Sequence, residues 1–136
     1  MVRMARIIKR KSLERDITFQ EPLKIGFGIS KETVENPQMV LGHTIIPPGA
    51  RSPRHYHIYN DIGTYILKGR LRYFFGSSHE QQEFVAEAGD FVFCPQGIIH
   101  SSLNLSDTEP AELIFCYAGV GSKEETGTVF VELPWK

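Results

Sequence analysis

Three histidines stand at spacings that could bring their imidazoles together around one metal ion. His55 and His57 are separated by a single residue, and His100 follows the turn sequence Pro95-Gln-Gly97. Alternate side chains of a β-strand project from the same face, so His55 and His57 would lie side by side. The glycine of the turn can adopt a positive φ angle and so direct the chain into the next strand. Neutral imidazoles with one carboxylate bind a divalent ion, and the set suits Mn, Fe, Co, Ni or Zn without selecting among them.

The segments around these histidines have the composition of short β-strands. Branched and aromatic residues alternate with polar ones, Gly and Pro separate the runs, and no stretch keeps a helical period. This pattern predicts an all-β sandwich or barrel. The predicted strands are residues 23–29, 38–46, 64–75 with a bend at Gly69, 81–86, 91–94 (short and buried), 98–103, 112–117 and 128–133.

The two histidine-bearing stretches resemble the two sequence motifs of the cupin superfamily, specifically its small single-domain members. The first runs from Gly49 through the His-x-His pair and an acid to Gly69, and the second has Gly89, Pro95, Gly97, His100 and Asn104 at the family spacing. The resemblance implies a double-stranded β-helix, the jelly-roll barrel. It also implies a single cupin domain over residues 1–136, with the core barrel at about 38–118 and residues 1–20 as an N-terminal arm or edge strand.

The fourth ligand of the cupin pattern departs from the family here. The family places a Glu after His-x-His, and this sequence has none there. The family spacing counted forward from His57 places the fourth ligand at Asp61. The same spacing counted back from Gly69 places it at Ile62, which cannot bind metal. A β-bulge at Gly63 would absorb the extra residue and turn Asp61 inward. The expected metal ligands are therefore His55, His57, Asp61 and His100. Asp61 would bind directly or through water, the alternative being a solvent-facing turn.

Other reactive side chains carry weaker signals. His43 lies on a predicted strand and is expected to be a hydrogen-bonded core or surface residue rather than part of a pocket, whereas His79 lies in a predicted hairpin turn and is expected to be exposed to solvent. Cys94 and Cys116 are expected to be free thiols, Cys94 buried, because two cysteines do not make a disulfide scaffold. Several aromatic side chains could line a pocket but are expected in the core: Tyr56, Tyr59, Tyr65, Tyr73, Phe91 and Phe93.

Two classes of function remain open from the sequence. The resemblance implies one divalent metal ion per chain and an enzyme acting on a small organic substrate, by dioxygenase, isomerase, decarboxylase or cyclase chemistry. The alternative is a non-catalytic barrel that binds a small metabolite or sugar. The sequence names no catalytic residue beyond the metal ligands.

Composition excludes several other partners. Of 136 residues, 41% are hydrophobic and the net charge is -1, which argues against nucleic acid as a partner. The sequence contains no signal peptide and no run of roughly 18 apolar residues, so we expect a cytoplasmic protein without a membrane span. Small cupins commonly pair, and the basic, apolar start of the chain has no obvious local partner. We therefore expect a homodimer.

Overall fold

The computed structural model describes residues 3–77 and 79–131, and within these ranges the regular secondary structure is almost entirely β-strand. The secondary structure outside the strands consists of two 3-10 turns, Arg10–Ser12 and Lys123–Thr126, each far too short to cross a bilayer. The strands are β1 (Lys24–Ile29), β2 (Met39–Ile46), β3 (His55–His57), β4 (Ile62–Lys68), β5 (Arg70–Phe75), β6 (Gln82–Glu87), β7 (Phe91–Cys94), β8 (His100–Asn104), β9 (Ala111–Ala118) and β10 (Thr128–Phe130).

The strands form two antiparallel sheets that face each other. One sheet has the order β1-β2-β9-β4-β7, and the other has the order β10-β3-β8-β5-β6. Neighbouring strands in the sheets are mostly distant in sequence, as in a jelly roll, where the chain crosses between sheets. The predicted jelly-roll β-barrel is therefore confirmed. The sheets run from Lys24 to Phe130 and extend on both sides of the expected 38–118 core.

The core lies between the sheets and follows the two-residue period of the strands. On β9, the inward side chains Ala111, Leu113, Phe115 and Tyr117 are buried, while the intervening residues are partly exposed. β9 pairs with the full length of β2, from Met39↔Ala118 to Ile46↔Ala111. The long pairing of β2 with β9 stabilises the centre of the sheet that lies opposite the histidines.

The expectation that residues 91–94 form a buried strand was wrong. Phe91 is 83% exposed and Phe93 is 64% exposed, whereas Val92 and Cys94 turn inward. Phe91 and Phe93 project from the outer face of the sheet, and no layer of the described residues covers them. A run of apolar residues indicates a strand but does not show whether both faces are covered.

The expected β-bulge at Gly63 is absent. Pairing between β4 and β7 is continuous from Ile62↔Cys94 to Tyr65↔Phe91, and the register of β4 against β9 shifts only between Ile66 and Lys68. With no bulge, Ile62 occupies the inward position, where it is buried. The side chain of Asp61 is left with the opposite orientation.

The N-terminal segment runs along the outer side of the sheet that contains β1 and β2, where Arg15 lies beside Gly26 and donates a 2.9 Å hydrogen bond to the His43 carbonyl. Between residues 3 and 23 its only β-pairing is the bridge from Asp16 to Ile25 of β1. The Asp16 carboxylate accepts hydrogen bonds from the backbone N–H groups of Thr18 and Phe19 and pairs with Lys123. These contacts shape the turn that delivers Gln20 into the barrel. Of the last predicted strand, residues 132 and 133 lie outside the described residues.

Candidate metal centre

The structure brings His55, His57 and His100 together inside the barrel. His55 on β3 is paired directly with His100 on β8, and His57 is the next residue on the same face of β3. One ring nitrogen from each histidine lies within 4.8 Å of the others. His55 and His57 are each 2% exposed. These three imidazoles could hold one metal ion.

The Nδ1 atoms of two of these histidines are hydrogen-bonded to backbone carbonyls. His55 Nδ1 lies 2.8 Å from the carbonyl oxygen of Pro53, and His100 Nδ1 lies 3.0 Å from that of Ile98. A carbonyl oxygen only accepts, so each Nδ1 carries the proton and donates it. The Nε2 atoms are therefore unprotonated and turned toward the cavity, in the tautomer that a metal requires.

A chain of hydroxyl groups fixes the tautomer of His57 in the same way. Thr126 Oγ1 donates to the carbonyl of Lys123 at 2.6 Å, which uses its only proton. Thr128 Oγ1 must then donate to Thr126 Oγ1, also at 2.6 Å. The Thr128 hydroxyl consequently accepts at 2.7 Å from His57 Nδ1, which must carry the proton. His57 Nε2 is left with a free lone pair.

Burial holds the three imidazoles in the neutral form that metal binding requires. Burial lowers the pKa of His57 to about 3, with a smaller contribution from the neighbouring His100. Burial, followed by the charge of His100, holds the pKa of His55 well below its usual range, and burial also lowers the pKa of His100. All three rings are neutral near pH 7. His57 Nε2 is buried and, within the described residues, has no hydrogen-bond partner, so the site fits a metal ion.

The histidines line a small cavity of about 70 Å³ between the two sheets. Its described lining contains hydroxyl, amide, thiol and apolar groups but no Asp, Glu, Lys or Arg side chain. Tyr73, Phe75 and Val92 also line a groove between the edge strands β6 and β7. The groove and the histidine cavity are therefore adjacent.

The other acidic groups of the cavity are protonated at neutral pH. Burial raises the pKa of Tyr73 and of Tyr117 well above the usual phenol range. Burial, together with the charge of Asp61, raises the pKa of Cys94 to about 12. A thiol in this state is a poor nucleophile. Cys94 and Cys116 are both free, in agreement with the sequence prediction.

Asp61 does not join the histidine group. Its Oδ1 accepts a 2.9 Å hydrogen bond from the backbone N–H of Gln96, within the turn that precedes His100. It therefore ties the start of β4 to the Pro95–Gly97 turn, and that turn is also held by a bond from Gly97 N–H to the His57 carbonyl. The role of Asp61 as a metal ligand stays a prediction that this geometry does not favour.

Two further side chains at the centre carry no motif signal in the sequence. Gln20 lines the cavity from the N-terminal segment, and Thr128 supports His57 from β10. Of the other two histidines, His43 pairs with Glu112 at 2.8 Å and does not line the cavity, and His79 is exposed. Of the aromatic candidates, Tyr73 lines the cavity, while Tyr59 and Tyr65 are exposed.

Comparison with known proteins shows to which family this chain belongs. The family model described as Cupin domain matches residues 42–117, more than half of the chain. The chain belongs to the cupin family. This cupin is 29% identical over 94 residues to the polyketide synthase CurC of Streptomyces cyaneus. That match covers 69% of this chain and 58% of the relative.

Solved structures share the fold of this cupin. Lactobacillus farciminis oxalate decarboxylase, in a formate complex, has a TM-score of 0.74 and 18% identity over 89% of this chain and 34% of its own. Bacillus subtilis oxalate decarboxylase, studied for its Mn(II) centres, has a TM-score of 0.74 and 20% identity over 89% of this chain and 30% of its own. This cupin thus spans about a third of these two decarboxylase chains.

Proposed function

We propose that this cupin is a mononuclear metalloenzyme, in which His55, His57 and His100 bind one divalent metal ion beside a cavity for a small organic substrate. The observation that carries the proposal is the set of three unprotonated Nε2 atoms that face one another in a buried space. Among the described residues His57 Nε2 has no hydrogen-bond partner, and a buried polar atom in this state is costly because it has lost its hydration. A metal ion would bind this lone pair together with those of His55 and His100.

Imidazole ligands suit several metals, and the availability of each metal decides which one is bound as much as its affinity does. The Mn(II) centres of the B. subtilis oxalate decarboxylase make Mn the first ion to test. Fe, Co, Ni and Zn follow, since each accepts a site made mainly of imidazole.

The protein contributes orientation and a dry environment to the reaction. When bound, the metal ion supplies Lewis-acid or redox chemistry to a substrate oxygen. The hydrogen bonds to the three Nδ1 atoms hold the imidazole rings in place before any substrate arrives. The phenols of Tyr73 and Tyr117, kept protonated by burial, can donate hydrogen bonds to that oxygen.

The size of the cavity limits the substrate. Pockets for drug-sized ligands hold roughly 300–1,000 Å³, whereas this cavity holds about 70 Å³. The part of the substrate that reaches the histidines is therefore a group of a few heavy atoms, such as a carboxylate. The formate bound by the L. farciminis relative has this size. A larger substrate would have to leave its remainder in the groove between β6 and β7.

One observation favours the second candidate, a non-catalytic binding module. The described cavity lining has no carboxylate or amine that could act as a general base. Chemistry in this site therefore depends on the metal ion and the phenols alone. A barrel that only binds a small anion through its metal would need nothing more.

Metal content tests the ligand assignment. Purified protein loaded in turn with Mn, Fe, Co, Ni and Zn is analysed by mass spectrometry for metal per chain. We expect about one ion per chain in the wild type and almost none in the double variant His55→Ala, His57→Ala. His43→Ala is the matched control, because it removes a buried imidazole that does not line the cavity. A wild type that binds none of these metals, or a double variant that keeps full metal, would refute the proposal.

An assay of substrate turnover distinguishes the metalloenzyme hypothesis from the hypothesis of a non-catalytic binding module. The metal-loaded protein is incubated with small carboxylic acids, including oxalate and formate, while CO2 release and O2 uptake are followed. Product formation that disappears in the double variant supports the enzyme. Saturable binding of the same acids with no product from any of them supports the binding module.

A further inference from the structure

The side chain of Gln20 reaches the metal-facing edge of the histidine group. Its Nε2 lies 3.2 Å from His55 Nε2 and 3.5 Å from the phenolic oxygen of Tyr117. Gln20 is only 8% exposed and lines the same cavity as the three imidazoles. Its backbone carbonyl accepts from Leu23 N–H in a tight turn, so the side chain is delivered by a fixed piece of backbone.

The hydrogen bond between Gln20 and His55 can have only one direction. His55 Nδ1 donates its proton to the Pro53 carbonyl, so Nε2 offers only a lone pair. The Gln20 amide must therefore donate through its NH2 group. This hydrogen bond occupies the lone pair that a metal ion would use, and the amide has to change its orientation when the metal binds.

A half-turn about the Cγ–Cδ bond is enough for that change. It exchanges the NH2 group with Oε1 and leaves the rest of the side chain in place. Two ligand atoms at about 2.1 Å from one metal ion lie roughly 3.0–3.4 Å apart in octahedral or tetrahedral geometry. The observed separation of 3.2 Å falls within this interval. After the half-turn, Oε1 and His55 Nε2 would be spaced as two ligands of the same ion.

We propose that Gln20 is the fourth protein ligand of this centre, a role that rests on the proposed metal site of His55, His57 and His100. Without metal, its NH2 group covers His55 Nε2, and with metal, its Oε1 binds the ion. The N-terminal segment thus supplies the oxygen that the cupin pattern normally takes from an acid after His-x-His. Asp61, the acid found there, is engaged with Gln96 N–H.

This ligand set fixes the charge of the site and hence the class of substrate. Three imidazoles and an amide are all neutral, so they leave the double positive charge of the ion uncompensated. The described cavity lining contains no carboxylate to neutralise it. A buried cation without a counter-charge strongly favours an anionic ligand. The substrate group at the metal is therefore an anion, a carboxylate or an enolate, rather than a neutral sugar hydroxyl.

Calorimetric titration of metal-free protein with Mn(II) and Co(II) tests the role of Gln20. We expect Gln20→Leu, which keeps the volume but removes the amide, to weaken binding about tenfold or more. Gln20→Glu restores an oxygen ligand with a negative charge and should bind at least as tightly as the wild type. The visible absorption of bound Co(II) should change in both variants, because a ligand of the ion has changed.

The rival ligand is tested by Asp61→Asn, which keeps the oxygen that accepts from Gln96 N–H. We expect its affinity and its Co(II) spectrum to match the wild type. Equal or tighter metal binding by Gln20→Leu would show that the amide only competes with the metal, and a loss of affinity in Asp61→Asn would restore Asp61 as the ligand. Either result overturns the role of Gln20 while the three-histidine site stands. A wild type that binds no metal would instead defeat the site itself.

Discussion

In each imidazole of the centre, Nδ1 is hydrogen-bonded to another group of the protein and Nε2 faces the cavity. For His55 and His100, Nδ1 donates to a backbone carbonyl, which no side-chain substitution can remove, and the Cys94 sulfur also lies 3.3 Å from His100 Nδ1. For His57 the partner is the hydroxyl of Thr128, which can be removed. Thr128 therefore gives a direct test of how much the tautomer of one ligand contributes to metal binding.

Thr128→Val should weaken metal binding by about 10–100-fold, the usual effect of losing the partner of a ligating histidine. Valine has nearly the shape of threonine but cannot accept the proton of Nδ1, so the ring can rotate or change tautomer. Thr128→Ser keeps the hydroxyl and should bind metal as the wild type does. Titration calorimetry with Mn(II) measures both, and equal affinity in the valine variant would show that the hydroxyl chain has no influence on the ligand.

The residues of the centre differ in how far the sequence predicts them. The three histidines follow from the spacing of the two motifs, because a strand pair with a fixed turn leaves few other arrangements. Gln20 and Thr128 are separated from their histidine partners by 35 and 71 residues, and no local pattern links them. Their roles depend on the packing of the N-terminal segment and of β10, which only the complete fold defines.

At the scale of elements, the ion pair between Asp16 and Lys123 joins the two segments that complete the centre. Asp16 shapes the turn before Gln20, and Lys123 begins the 3-10 turn that carries Thr126. The Lys123 ammonium also lies 5.5 Å from the centre of the Phe19 ring, so the pair is packed against aromatic surface. This contact holds the Gln20 turn close to β10.

The Asp16–Lys123 pair should make stability depend on pH in acid. Burial alone raises the pKa of Asp16, but the Lys123 hydrogen bond and the N–H groups of Phe19 and Thr18 outweigh it and hold the pKa at about 2, below the ordinary 3.8. A lowered pKa contributes stability that is present above pH 4 and lost as the pH falls toward 2. Urea unfolding should show that the wild type has a larger free energy of unfolding than Asp16→Asn at pH 6. This difference should shrink as the pH falls from about 4 toward 2. A difference that is constant or grows in acid would contradict this assignment.

Strand identity and strand exposure differ in how well the sequence predicts them. The alternating and branched runs predict where most strands lie, because the period of two is a local property. They do not show whether the outer face of a strand is covered by another layer, and this is why Phe91 and Phe93 were expected to be buried. The outer faces of β4 and β7 instead carry an exposed aromatic surface, in which Tyr65 and Phe91 are paired across the strands.

At the scale of the whole molecule, that aromatic surface supports the prediction of a homodimer. Tyr65, Phe91 and Phe93 form one face, and an apolar face of this kind on a soluble domain usually marks an interface. We expect light scattering to give twice the chain mass of 15.4 kDa for the wild type. Phe93→Glu should give the mass of the single chain, because it places a charge in the middle of the interface.

Ile17→Glu is the matched control for this prediction. Ile17 is also exposed, at 59%, but lies in the N-terminal segment and does not line the groove that contains Phe91 and Phe93. Its substitution should leave the dimer intact. A wild type of 15.4 kDa at tens of micromolar would refute the dimer, and a dimer that survives Phe93→Glu would place the interface elsewhere.

The position of β10 beside β3 has a consequence for the biogenesis of the protein. A ribosome extends a chain from its N-terminus at about 5–20 residues per second, so His55, His57 and His100 emerge before Thr128 does. The short β3 pairs along its whole length with β10, whereas its pairing with β8 is through His55 and His100. A nascent chain that stops before residue 128 would expose three histidines without the strand that aligns them. Alignment of His57 for metal binding therefore requires that synthesis has passed Thr128 and that β10 has paired with β3.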